Sequence, residues 1–255
     1  MRKVILSFLL LLFFSFFFDK VFAQKKDLSD LFQNANLAYD QGEYEKATKL
    51  YQKIIQSGIK NDRVYYNLGN AYFRNKKRGL AILSYRKALK LNPRDEDIKI
   101  NLKFVKLFTI DKIEQKHTPF FLKLFFSVRN LATLDEWTLF ASSLYFLGMV
   151  FLIVFVLTRK GKRLFLTLIS FFLILFLLTC IFLGSKTYSE IFIKRGVVVV
   201  TQSEVRSGPG EDYTLQFNLH EGLEFLIKGE KEGWYLILLP NGGRGWLKSE
   251  AVGII

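Results

Sequence analysis

The sequence predicts a multidomain α and β chain: an α-helical repeat solenoid, then a two-helix transmembrane hairpin, then a small all-β barrel. Three observations predict it. Residues 28–109 align with themselves at an offset of 34. Two runs without a charge, Trp137–Leu157 and Leu164–Gly184, flank the basic stretch TRKGKR, Thr158 to Arg163. From Gly196 short β-branched and aromatic runs alternate with Gly-rich turns. Composition agrees with the middle part: half of the 255 residues are apolar and 27 are Phe, which is heavy for a soluble chain. The net charge of +14 suits an anionic membrane surface or nucleic acid.

The N-terminus, MRKVILSFLLLLFFSFFFDKVFAQKK, has a basic start at Arg2 and Lys3, an apolar stretch Val4–Phe18, and Val21 and Ala23 placed for signal peptidase. Residues 1–23 read as a secretory signal, with an uncleaved anchor as the alternative; both give the same topology. A secretory address also takes the basic residues away from cytoplasmic nucleic acid.

Residues 24–111 hold the repeat. At the offset of 34, Ala35 meets Gly69, Ala47 meets Ala81, Tyr51 meets Tyr85, and Asn67 and Leu68 meet Asn101 and Leu102. Small residues at these places let two antiparallel helices cross closely, with Tyr or Leu filling the space beside them. Gly42 marks a turn between helices, and Pro93 ends one. This pattern resembles the tetratricopeptide (TPR) repeat over two repeats, with a capping helix from Glu96 to about Phe108. The resemblance implies a concave groove lined by the first helix of each repeat, which binds extended or helical peptides. Asn36, Asn67, Asn70 and Asn101 are expected there, flanked by Tyr39, Arg63, Tyr66 and Arg74; amides can hydrogen-bond a peptide backbone without reading its sequence. The alternative is that Asn67 and Asn101 are consensus residues with no ligand. Chaperone-binding TPR domains clamp a C-terminal carboxylate with asparagines spaced like Asn36 and Asn67. Here Phe32, Asp97 and Asn101 stand where their basic partners would be, so carboxylate capture is not expected.

Residues 112–136 form a linker. In HTPFFLKLFFSVRNL the apolar Phe120, Phe121, Leu124, Phe125 and Val128 fall at helical spacing. That predicts a helix lying in the membrane interface, or one packed on the preceding domain. TLDE, Thr133 to Glu136, has capping-box spacing for the helix that follows. The runs 137–157 and 164–184 each give a helix about 30 Å long, the thickness of a hydrocarbon core. Trp137 stands where an interfacial aromatic belongs. The six-residue connection, 158–163, forces a hairpin, and Arg159, Lys160, Lys162 and Arg163 put that loop in the cytoplasm. Both hydrophilic parts then face the periplasm of a bacterial inner membrane.

After a linker at 185–195, residues 196–255 should fold as about five strands. Pro240 to Gly243, PNGG, is a hairpin signal, since Asn-Gly tolerates positive φ. The order VRSGP, LHEG, GWYLILLPNGGRGWL resembles bacterial SH3 (SH3b) domains. The resemblance implies a barrel that binds peptide or cell-wall glycopeptide, or packs on a neighbour. Tyr213, Trp234, Tyr235 and Trp246 are its candidate contacts.

The whole-chain order resembles the TPR-bearing member of the Bat aerotolerance proteins (BatE-like). That implies a membrane complex of the aerotolerance or envelope-stress type, with membrane-anchored von Willebrand A-domain proteins and a MoxR-type ATPase as partners beside the lipid bilayer. The sequence argues against an enzyme. It has one cysteine, Cys180, and two distant histidines, His117 and His220. Its SGPG turn lacks the Lys and helix of a phosphate site. No cofactor and no metal site are expected. The expected function is a non-enzymatic scaffold using TPR and SH3b modules on one anchor. The alternative is a peptidoglycan-attached adaptor, with SH3b on the wall and TPR recruiting a wall enzyme.

Overall fold

The computed structural model describes residues 27–113, 118–158 and 161–255. The signal read over 1–23, and Arg159 and Lys160 of the basic loop, lie outside the described residues.

Five helices build the first unit: α1 over 27–40, α2 Tyr44–Gln56, α3 Asp62–Arg74, α4 Arg78–Leu91 and α5 Glu96–Lys106. They are the antiparallel pairs of a TPR solenoid, with α5 closing the stack. Each buries one apolar stripe. On α2 it is Ala47, Thr48, Tyr51 and Ile54; on α4 it is Ala81, Ile82, Tyr85 and Ala88. These positions are 34 residues apart, so the period in the sequence is the period of the core. At Gly69 an added Cβ would lie 2.7 Å from the Tyr85 ring, so the α3–α4 crossing uses the missing side chain. Helix starts are fixed locally. Asn61 accepts from the backbone N–H of Arg63 and Val64 at 2.9 and 3.2 Å, and Asp95 from that of Ile98 at 3.0 Å. Gly42, at φ +80°, turns the chain between α1 and α2.

Helix α6, Phe120–Arg129, packs on the last long helix through Phe125, whose ring is 5.2 Å from that of Phe182. Phe120 and Phe121 stay 79% and 67% exposed. The long helices are α7, Leu134–Leu157, and α8, Lys162–Ile191. Both are long and apolar enough to cross a membrane, and only 11% and 6% of their apolar windows are buried within the protein. They pair antiparallel through stacked rings: Trp137 with Phe182 at 5.3 Å, and Phe151 with Phe172 at 5.1 Å. Both hydrogen bonds of the Thr133–Glu136 capping box are present, at 3.2 and 2.8 Å. Helix α8 runs seven residues beyond Gly184, into the stretch read as a linker, because Lys186 is held there: its ammonium donates to the Ala132 carbonyl at 2.6 Å.

The C-terminal part is antiparallel: β1 Arg195–Val198, β2 Gln202–Arg206, β3 Leu215–His220, β4 Glu224–Lys231, β5 Trp234–Leu238, β6 Arg244–Lys248 and β7 Val252–Ile254. The expected five-strand barrel is corrected to a seven-stranded open sheet, order β3-β2-β6-β5-β4-β1-β7. A sheet edge must be closed, paired or covered. Here β7 lies against α4, with Gly253 on the Leu83 side chain, so a helix takes over the role that closure would play. The β4–β5 turn has positive φ at both Glu232 and Gly233, the backbone of a tight hairpin. In the PNGG turn only Gly242 has positive φ; Asn241 instead accepts from the Gly243 N–H at 3.0 Å.

The sheet is seated on the helical unit. Val197 belongs to the core built by the repeat helices. Helix α4 has no cap from its own flank, and Glu221 of the sheet accepts from the Gly79 N–H at 3.2 Å while pairing with Arg78 at 2.9 Å. Glu224 takes Arg86 and Lys106, each at 2.7 Å. Asp111 accepts from the His220 N–H at 2.7 Å.

Candidate functional site

The first helices of the repeats, α1, α3 and α5, carry the expected groove residues, and the structure joins five of them into two hydrogen-bonded groups, Asn36 with Asn67 and Asn70 with Asn101 and Tyr66. Tyr51 donates its hydroxyl to Asn36 Oδ1 at 2.6 Å, and Asn67 donates to the same oxygen at 3.0 Å. One repeat later Tyr85 donates to Asn70 Oδ1 at 2.6 Å, and Asn101 donates to it at 3.2 Å. Asn101 also donates to the Tyr66 hydroxyl at 2.9 Å. The unit therefore recurs with the sequence period. Tyr51 and Tyr85 are about 1% exposed, so each hydroxyl depends on its amide. Burial pushes the Tyr51 phenol up to about 12, with Asn67 opposing, and pushes the Tyr85 phenol up further.

This arrangement spends both lone pairs of the Asn36 and Asn70 oxygens. It leaves Asn36 Nδ2, Asn67 Oδ1, Asn70 Nδ2 and Asn101 Oδ1 without a partner among the described residues, and none of the four is sealed from solvent. Donor and acceptor thus alternate along the row. An extended peptide backbone offers the complementary alternation.

The flanking residues divide. Tyr39 lies edge-on to Tyr44, with ring centroids 5.3 Å apart, and burial raises its phenol against the opposing charge of Arg74. Arg74 donates Nε and Nη2 to the Tyr44 hydroxyl at 2.9 and 2.6 Å, so it is engaged within the stack. The exposed Arg63 guanidinium has no hydrogen bond or ion pair among the described residues. On α5, Ile100 and Phe104 are 61% and 48% exposed, and Phe104 clusters with Phe73 and Phe108 at 5.7 and 5.1 Å. Sequence reasoning missed Tyr51, Tyr85 and this apolar end. The period of 34 that links Tyr51 to Tyr85 as it links Asn36 to Asn70 was the available signal.

In the C-terminal sheet the four aromatics also divide. Trp234 and Tyr235 are 8% and 9% exposed, and Tyr235 belongs to the sheet's core. Trp246 is half-buried and Tyr213 is exposed. The Tyr213 ring covers Gly208, and Arg206 holds that loop by donating to the carbonyls of Glu211 and Tyr213 at 2.6 and 2.8 Å. Trp234 lines a cavity of about 600 Å³ with Glu204, Arg206, Glu211 and Lys248, and Lys248 Nζ lies 5.7 Å from its ring centroid.

Of the topology residues, Lys162 and Arg163 lie in the first turn of α8. Cations there oppose the helix dipole, so they do not serve the helix itself.

Residues 63–95 match the tetratricopeptide repeat family model, whose repeats are typically non-catalytic protein–protein interaction modules. No curated protein matches the chain.

Proposed function

We propose that this chain is a non-enzymatic scaffold of a bacterial inner membrane, anchored by α7 and α8, which presents its TPR groove and an SH3b-like sheet to protein partners in the periplasm. The alternating free amide atoms of Asn36, Asn67, Asn70 and Asn101 carry the reading. They offer main-chain hydrogen bonds at repeat spacing beside the apolar end formed by Ile100 and Phe104. The SH3b-like surface would use Tyr213 and Trp246, the more accessible of its four aromatics. Two weak modules on one rigid anchor gain affinity for a multipart partner through effective concentration. The order of the modules supports a partner set of the aerotolerance type, namely membrane-anchored A-domain proteins.

The test is affinity capture of the full-length protein from solubilised membranes. Substituting Asn36 or Asn70 would also orphan a buried tyrosine hydroxyl. The diagnostic variant is therefore Arg63→Glu with Ile100→Ser, at two exposed positions. Loss of membrane-anchored proteins from the variant supports the groove. Equal capture by both forms rejects it. Capture of wall enzymes alone would favour attachment to peptidoglycan through the C-terminal sheet.

A further inference from the structure

A cavity of about 720 Å³ opens where α4, α5, the end of α6, the end of α8 and the first and last strands meet. Nine of its nineteen lining residues are cationic, and one, Glu190, is acidic. Some of these cations are already engaged: Arg86 and Lys106 by Glu224, Lys99 by Glu96, and Lys186 by the Ala132 carbonyl. Four are not. The side chains of Lys90, Lys103, Lys194 and Arg195 make no hydrogen bond or ion pair among the described residues, yet they come from α4, α5 and the start of the sheet to line one space. Deeper in, Arg129 is 8% exposed and reaches Ser185 at 3.3 Å. Burial and the like charge of Arg195 pull its guanidinium below the ordinary value against Glu190. A fold concentrates like charges in this way at a cost, which an anionic ligand relieves.

Position narrows the ligand. The apolar run of α8 ends at Gly184, and Lys186 and Glu190 follow on the same helix. At about 1.5 Å per residue Lys186 stands roughly 3 Å beyond it, within the polar layer of a bilayer, and Glu190 roughly 9 Å, just outside that layer. Trp137, whose indole donates to the Arg129 carbonyl at 2.9 Å, marks the same level. Ile191, Ile193 and Ile254 give the cavity an apolar side.

We propose that this cavity binds a phosphate-ester anion, supplied by the head group of an anionic phospholipid next to the hairpin. The proposal rests on α7 and α8 spanning the membrane. Bound there, the lipid would neutralise the junction between the anchor and both outer units.

The test uses full-length protein in nanodiscs of phosphatidylcholine, with or without phosphatidylglycerol, and counts retained lipid by native mass spectrometry. The double variant Lys103→Gln, Lys194→Gln should retain roughly 25-fold less phosphatidylglycerol, at about fivefold per removed charge. Lys103→Arg with Lys194→Arg should retain it as wild type does, and so should Lys49→Gln with Lys53→Gln on the distant α2. Equal retention by the Lys103→Gln, Lys194→Gln variant overturns the proposal, as does wild-type protein without preference between the lipids. If glycerol 3-phosphate displaces phosphatidylglycerol in the mixed discs, or binds as tightly in discs of phosphatidylcholine alone, the source is a soluble anion and the lipid assignment fails. An alkaline carbonate wash separates the two readings: release of the protein from membranes refutes the spans, whereas retention with no lipid preference refutes only the cavity.

Discussion

Replacing Glu224 with Gln should loosen the C-terminal sheet from the repeat helices. One Glu224 oxygen accepts from Arg86 Nε and Nη2 at 3.0 and 2.7 Å, and Lys106 lies 2.7 Å from the other. The side chain is 24% exposed, and the two cations 34% and 36%. Exposed ion pairs contribute at most about 1 kcal/mol, whereas removing one partner of a buried pair costs about 3–5 kcal/mol. Partial exposure places this site between them, at about 2–3 kcal/mol. For a chain of this size that is a drop of roughly 5–10 °C in Tm. Tryptophan fluorescence during heating reads it, since Trp234 and Trp246 both lie in the sheet. The sign with pH follows from the carboxyl. Burial alone would raise it, but Arg86 and Lys106 outweigh burial and hold it below the usual carboxylate range. A depressed carboxyl stabilises the fold above its unfolded value of about 4.3, and that contribution is lost as pH falls through the folded value. The difference between wild type and Glu224→Gln should therefore be full at pH 7 and shrink below about pH 4. Equal melting at pH 7, or a difference that grows in acid, would refute the bridging role.

Three further outcomes follow from the same geometry. Asn70→Ala strands the buried Tyr85 hydroxyl and should cost about 1–3 kcal/mol. Asn67→Ala removes only a donor to Asn36 and should cost less than Asn70→Ala by urea denaturation. At Gly222, φ is +91° and an added Cβ would lie 2.6 Å from Thr109, so Gly222→Ala combines backbone strain with overpacking. It should cost about 2–4 kcal/mol and speed proteolysis of the sheet. The Tyr51 phenol is pushed up to about 12, so absorbance titration should leave it protonated at pH 11, above the ordinary phenol value of about 10.

The repeats, the hairpin and the β-rich end were legible because each rests on a local period or a local turn. Small residues at an offset of 34 show in a single pass, as do two uncharged runs. The amide row was legible too, because Asn36, Asn67, Asn70 and Asn101 recur with the same period. What those amides hold was not. Tyr51 and Tyr85 look like packing residues, and nothing local shows that their hydroxyls take one lone pair of each amide. The seat of the sheet was hidden for a different reason. Glu221 and Glu224 lie more than 130 residues from Arg78 and Arg86, and on their own they read as a turn and a solvated face. The open sheet follows from this seat, since α4 covers the edge that a barrel would have closed. Helix α8 continues past Gly184 because Lys186 finds a carbonyl on the neighbouring connection, and hydropathy ends the helix where charge begins. The basic cavity draws on six elements, so no window of sequence contains it.

The scaffold reading requires both outer units on one side of the membrane and the TRKGKR loop on the other. Single cysteines at the exposed positions Lys60, Lys162 and Glu230, in a Cys180→Ala background, test this directly with a membrane-impermeant maleimide. The account predicts labelling at positions 60 and 230 in spheroplasts with an intact inner membrane, and at 162 only after permeabilisation. Labelling at 162 in intact spheroplasts, or positions 60 and 230 on opposite sides, would contradict it.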